Sequence, residues 1–560
     1  MKGSSSTLLA RLERTKDRFG GSAAALKLEL LAALARRRLP DADRVARLHD
    51  ALTFLRAYPD DLEVLNRVET MLGSFADRAD LKRHRRELVD SGIAGTEIHF
   101  QFYWFTALWL AERWPDRLSI DWKEFENRLK LVDLLHLLVP YSESPGLDCF
   151  DFSAEEWIGH LKGPNETDAA FLVMRFRALR ADSFGRETLY DQLDVPIQLA
   201  PGPSTPSRTK AKVSSKIHFQ TRPLERVPLD LRKAVLVPPL SVRSLSRREG
   251  RKLVDLAREA MVTRSRDLDV FVHADPGAVR MVDCGDGLRF ACMGTHPERR
   301  LLFEAVYGFL TLKNGVPIGY VLLSALYRSV EVAYNVFDPY RGGEAARVYG
   351  RVLAMARHLF SAETFAVDPY QLGHGNQEGL ESGAWWFYYK LGFRPDDPGV
   401  KKIVRQELAR MKKNPRHRSS IATLKQLTSE HMFFDRAGRR EAAMGRLDLG
   451  TVGLRISQYV ARRFGADREM AIRTCAEEAA ALLGVRSLGK LPRGERIAWD
   501  RWAPLVCLLP EIQRWSGKER RDLTRVIRTK GGLHESDFVL RFDHHPRLGR
   551  AVRKLAEEEA

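Results

Sequence analysis

Apolar positions recur every three or four residues through the first third of the chain, which predicts a succession of short amphipathic helices. Leu30, Leu31 and Leu34 share one face. Val45, Leu48, Leu52 and Leu55 share another after a cap at Asp41, and Val64, Val68 and Leu72 a third after Pro59. The aromatic run at 100–111 is too short to span a bilayer and reads as a buried helix. This rhythm ends near Ile197. Residues 198–225 hold Pro201, Pro203, Pro206, Lys210, Lys212 and Lys216 with no apolar period, the composition of a linker. Strands enter from about Arg226: 234–237, 288–293, and a hairpin of 301–312 with 316–326 across Asn314-Gly315, beside a helix at 248–262. Beyond Lys401 the pattern is helical again. The expected organisation is a helical domain at 1–197, a linker at 198–225, an α/β domain at 226–400 and a basic helical domain at 401–560.

The segment 330–393 carries most of the chemistry. Val330 to Phe337 is an apolar, β-branched strand; a turn, Asp338-Pro339-Tyr340-Arg341-Gly342-Gly343, leads into a helix from about Glu344 that turns Val348, Val352, Leu353, Met355 and Ala356 inward. Backbone N–H groups at such a strand-to-helix turn face outward, and the helix dipole adds positive bias, so the turn suits a phosphate or pyrophosphate. A second strand, 364–367, precedes the run Ala384-Trp385-Trp386-Phe387-Tyr388-Tyr389-Lys390-Leu391-Gly392-Phe393-Arg394-Pro395.

The run Phe387 to Pro395 resembles the closing motif of the GNAT superfamily of N-acyltransferases, and Tyr340 to Ala356 is similar to that superfamily's pyrophosphate loop and following helix. The resemblance covers roughly residues 230–400. It implies an α+β fold: a central mixed sheet with helices on both faces, here flanked by N-terminal and C-terminal all-α domains. It also implies acetyl-CoA or another acyl-CoA as donor, held between the strand before the glycine turn and the strand after its helix. The pyrophosphate would meet Arg341, Gly342, Gly343, Glu344, Ala345 and Ala346. Glu344 stands where the superfamily has glycine, so its carboxylate must point away from an anion. The closing motif assigns the proton donor for the leaving thiolate to Tyr388, with Tyr389 as the register alternative. After Pro395 a last strand is expected, either replaced by the basic helix and turn at 401–418 or reduced to a very short one.

Strand alternation puts Glu331, Ala333, Asn335 and Phe337 on one face, and a carboxylate among apolar strand residues suits a general base. Glu304 is the alternative. The loop 368–383 is polar and glycine-rich for a strand-to-helix connection, and Gln371, His374, Asn376 and Glu378 are candidates to line an acceptor pocket. Histidines 136 and 160 lack ligand-like spacing, and Asp543-His544-His545 has no partner at useful spacing, so no metal is expected.

Charge changes the picture at the C-terminus. Residues 1–200 hold 28 Lys/Arg against 32 Asp/Glu (net −4), residues 401–560 hold 35 against 20 (net +15), and the remaining 28 against 21 complete the total of +18. The basic unit suggests an anionic partner such as nucleic acid. Five scattered cysteines and a polar start predict a reducing, cytoplasmic setting without a transmembrane segment. Two functions follow: an acyltransferase acting on an amine-bearing small molecule or protein, and a non-catalytic scaffold of the same fold that binds a polyanion.

Overall fold

The computed structural model describes residues 3–224, 229–342, 344–439 and 441–557. The chain divides into two compact units, one comprising Met1–Leu224, Lys252–Val272 and Lys313–Pro317, the other Glu225–Arg251, His273–Leu312 and Ile318–Ala560.

In the first unit the helices Ser5–Thr15, Gly21–Ala35, Ala42–Ala57 and Leu62–Gly73 follow the apolar periodicity. Asp41 caps the third by accepting from the Arg44 N–H at 2.9 Å, and Asp61 caps the fourth. Lys27 and Asp60 form a buried ion pair at 2.7 Å. The expectation of an all-α N-terminal domain needs correction. Strands β1 (Ile98–Gln101), β2 (Leu118–Ile120) and β3 (Pro196–Leu199) form an antiparallel sheet in the order β1-β3-β2. Each strand is only three or four residues long, too short to interrupt a helical pattern visibly. The helix Trp104–Arg113 follows β1, so the aromatic run is part strand and part helix. Its N-terminus has no cap of its own. Instead Asp191 accepts from the Trp104 N–H at 2.7 Å and Asp267 from the Tyr103 N–H at 3.0 Å. Residues 200–224 carry no helix or strand, but Arg56 donates to the Thr209 carbonyl and the Gln220 N–H donates to Pro59. The tip Asn314-Gly315 turns through φ 51° and 79°, and the Asn314 amide donates to Ala57 and His218.

The second unit is mixed α and β around a large mixed sheet. Its strands are β4 (Ser241–Ser244), β5 (Arg280–Asp283), β6 (Leu288–Gly294), β7 (Ala305–Lys313), β8 (Val316–Leu326), β9 (Ser329–Val336), β10 (Thr364–Val367), β11 (Arg394–Pro395) and β12 (Met432–Asp435). Among the described residues their order is β11-β12-β10-β9-β8-β7-β6-β5-β4, with β9 and β10 parallel. The helix Ala345–Phe360 connects that parallel pair and buries Val348, Tyr349, Val352, Leu353 and Met355.

Residues 234–237, expected as a strand, are the last residue of the helix Leu231–Ala234 and the turn after it. Asp230 caps that helix by accepting from the N–H groups of Arg232 and Lys233. The two-residue strand β11 ends at Pro395, among the described residues no strand follows it directly, and the helix Pro398–Lys413 comes next. The C-terminal part is not all helix either: β12 inserts between β10 and β11. Beyond it come the helices Leu449–Phe464, Arg468–Leu483, Arg493–Leu508, Gly517–Lys530, Ser536–Asp543 and Pro546–Glu557. Among the described residues no helix is long and apolar enough to cross a membrane.

Candidate functional site

The parallel pairing of β9 with β10 runs from Thr364 beside Ser329 to Ala366 beside Glu331 and then stops. From Val332 to Val336, β9 keeps its partner β8 but among the described residues has no strand on its other side. That edge therefore offers unladdered backbone donors and acceptors inside the sheet rather than at its rim. On the same stretch the Asn335 side-chain oxygen is buried without a hydrogen-bond partner.

Alternation along β9 separates two environments. Tyr334 faces the helix Ala345–Phe360: its hydroxyl donates to the Ala345 carbonyl at 3.4 Å and its ring lies 5.3 Å from Tyr349. Tyr388, on the helix Ala384–Leu391, packs against Tyr349 at 5.5 Å and Phe393 at 5.7 Å and is 4% exposed. Burial pushes the phenol of Tyr388, like those of Tyr334 and Tyr349, well above its ordinary pKa, so all three hold their protons. Tyr389 looks elsewhere: it stacks on Trp385 at 5.3 Å and lies 4.0 Å below the Arg394 guanidinium.

Glu331 alternates to the opposite face, where two groups join it. His431 immediately precedes β12, and its Nε2 lies 3.1 Å from Glu331 Oε2 and 3.7 Å from Asp368 Oδ2. Asp368 follows β10, so three strands deliver this cluster. The His431 ring also stacks on Phe433 at 6.0 Å. Burial alone would lower the His431 pKa. The hydrogen bond to Glu331 and the charges of Glu331, Asp368 and Glu430 outweigh it and hold the imidazole above its ordinary range. An ionised carboxylate only accepts, so Nε2 carries the hydrogen toward Glu331 and Nδ1 is the basic nitrogen. One ligand atom from each of Glu331, Asp368 and His431 lies within 4.8 Å of the others, a set that could also hold a divalent cation.

At the glycine turn, Gly342 has φ 80° with open space where a side chain would begin, and Gly343 lies outside the described residues. Glu344 is 4% exposed and pairs with Arg347 at 2.8 Å, so its carboxylate is turned into the protein. It makes no cap bond to the helix that begins at Ala345 and Ala346. Arg341 donates to the Val336 carbonyl at 3.1 Å and pairs with Asp338 at 2.8 Å and with Glu378.

Among the loop candidates, Asn376 is consumed by structure: its oxygen caps the helix Gln377–Ser382 at Gly379, and its amide nitrogen donates to the Tyr370 carbonyl. Gln371 is half-buried in the helix Pro369–Leu372, and His374 is exposed. Glu304 is remote in role from the cluster around Glu331: its carbonyl accepts from the buried Lys530 ammonium at 3.0 Å.

Sequence reasoning missed His431 and Asp368. A lone histidine between Glu430 and Met432 carries no local signature, and only the insertion of β12 gives it neighbours. Compared with known proteins, the chain matches no family, no curated protein and no solved structure.

Proposed function

We propose that this chain is a GNAT-like N-acyltransferase that moves an acyl group, acetyl in the simplest case, from CoA to an amine. The observation that carries this reading is the end of β9–β10 pairing at Glu331 and Ala366, followed by a bare β9 edge leading to a strand-to-helix turn. The amide-bearing arm of CoA can pair with such an edge as an added strand would, and the buried, unpartnered Asn335 oxygen can accept one more hydrogen bond. Inward-turned Glu344 leaves the helix start free to meet a pyrophosphate.

The chemistry divides between the two faces of the sheet. Glu331 and Asp368 attract the acceptor ammonium; His431 Nδ1 takes its proton, and Glu331 holds the resulting imidazolium in place. The free amine attacks the thioester carbonyl, the carbon–sulfur bond breaks, the Tyr388 hydroxyl protonates the departing thiolate, and the second proton lost by the nitrogen restores the Tyr388 phenol. Because Tyr388 and Glu331 face opposite sides of the sheet, the acyl group must sit in the gap between β9 and β10.

Calorimetry with acetyl-CoA tests the reading: binding with micromolar to millimolar affinity is expected, and absence of any binding at millimolar ligand ends it. A non-catalytic, polyanion-binding role for 401–560 is the competing proposal, and nucleic-acid binding that falls steeply with salt, without acetyl-CoA binding, would favour it.

A further inference from the structure

The first unit holds a cleft of about 620 Å³ lined by Lys82, Arg83, Arg85, Arg86, Val89 and Glu97. Four of its six walls are cationic and one is acidic. The acid is already engaged, since Arg85 pairs with Glu97 at 2.6 Å. Lys82 has a loose, exposed contact with Asp77 at 3.8 Å. Arg83 and Arg86 are exposed and have no acidic partner among the described residues. The helix Ala79–Arg83 ends here and the following turn folds back, with Leu88 donating to His84, so the side chains converge on a concavity. Two of them, Lys82 and Arg83, also favour the helix C-terminus, but that interaction does not require Arg85 or Arg86.

We propose that this cleft binds an oligophosphate group carried by a small molecule. Like charges focused in a concave site raise the local concentration of an anion, and guanidinium forks match phosphate oxygens bidentately. The volume lies in the range of small-ligand sites, about 300–1,000 Å³. The cationic walls Lys82, Arg83, Arg85 and Arg86 of a single small cleft span a few phosphates, the reach of an oligophosphate rather than of a polynucleotide backbone. This site is independent of the acyltransferase reading.

The test is calorimetry of the full chain with inorganic pyrophosphate and triphosphate at low salt. Wild type should bind, with affinity falling between about 50 mM and 200 mM salt. The double variant Arg83→Ala/Arg86→Ala, in which both changes are at exposed side chains, should lose roughly tenfold or more in affinity with an unchanged circular dichroism spectrum. Arg128→Ala, an exposed change on the helix Arg128–Leu138 outside the cleft, should leave that affinity as it was. No binding of either anion at millimolar concentration, or equal binding by the double variant, overturns the proposal. So does a short single-stranded RNA that binds more tightly than triphosphate and loses its binding in the same double variant, since the occupant would then be a polynucleotide.

Discussion

His431 Nε2 and Glu331 Oε2 stand 3.1 Å apart although 100 residues of sequence separate them. The pair makes a base whose strength depends on its carboxylate. If His431 accepts the acceptor's proton, kcat/KM should rise with pH through a limb whose midpoint lies above the usual histidine value of about 6.5. Below that midpoint the imidazole is protonated and cannot act. Glu331→Gln removes the charge that raises the pKa, so the limb should move to lower pH while kcat/KM falls by roughly 10- to 100-fold. A limb left in place by Glu331→Gln would exclude His431 as the base.

Tyr388→Phe keeps the packing against Tyr349 and Phe393 but removes the proton. Turnover should fall by roughly 10²-fold with little change in donor affinity. Tyr389→Phe, altering a ring stacked on Trp385, should be much milder. Equal effects of the two changes, measured as kcat on the same acceptor, would show that neither hydroxyl is the acid.

Gly342 sits at φ 80° in the turn before the helix. A β-branched side chain there is strained by about 1–2 kcal/mol, so Gly342→Val should weaken acetyl-CoA binding by about tenfold as the turn shifts its N–H groups. Calorimetry beside a thermal melt separates lost binding from lost fold, and unchanged affinity would remove the turn from the donor site.

Lys27 and Asp60 form a buried pair, and burial disfavours the charge on each, lowering the Lys27 pKa and raising that of Asp60. Asp60→Ala strands the ammonium and should cost about 3–5 kcal/mol, read from urea unfolding. The double change Lys27→Met/Asp60→Ala should recover much of that loss. A double variant no more stable than the single would mean that packing, not charge, sets the cost.

Asp267, which caps the helix Trp104–Arg113, is pushed up to about 7 by burial and the charges of Asp269 and Asp191, against hydrogen bonds from Thr106 and Tyr103. Its unfolded value is about 3.9, so its protonated form is favoured by folding. That contribution is fully present below about pH 4 and is lost as pH rises through about 7. The wild-type urea midpoint should therefore fall relative to that of Asp267→Asn between about pH 5 and pH 8. Parallel curves for the two proteins would place the Asp267 pKa outside that window.

By itself the sequence determined what lies within a few turns of chain. The cap at Asp41, the hairpin turn at Asn314-Gly315 and the strand–turn–helix from Val330 all follow from local periodicity and backbone preference. What tertiary structure decided is everything that depends on which distant strand lies next to which. The short strands β1, β2 and β3 have too little pattern to stand out from the helices around them, and their pairing across about 100 residues is a long-range contact. β12 enters between β10 and β11 by the same kind of pairing, and it is what sets His431 beside Glu331 and Asp368. Glu344 is a similar case: its residue type suggested repulsion at the turn, while Arg347 and burial fix its direction. Local windows encode propensity. Partnership between remote strands is set by the whole core they jointly bury, which no window contains.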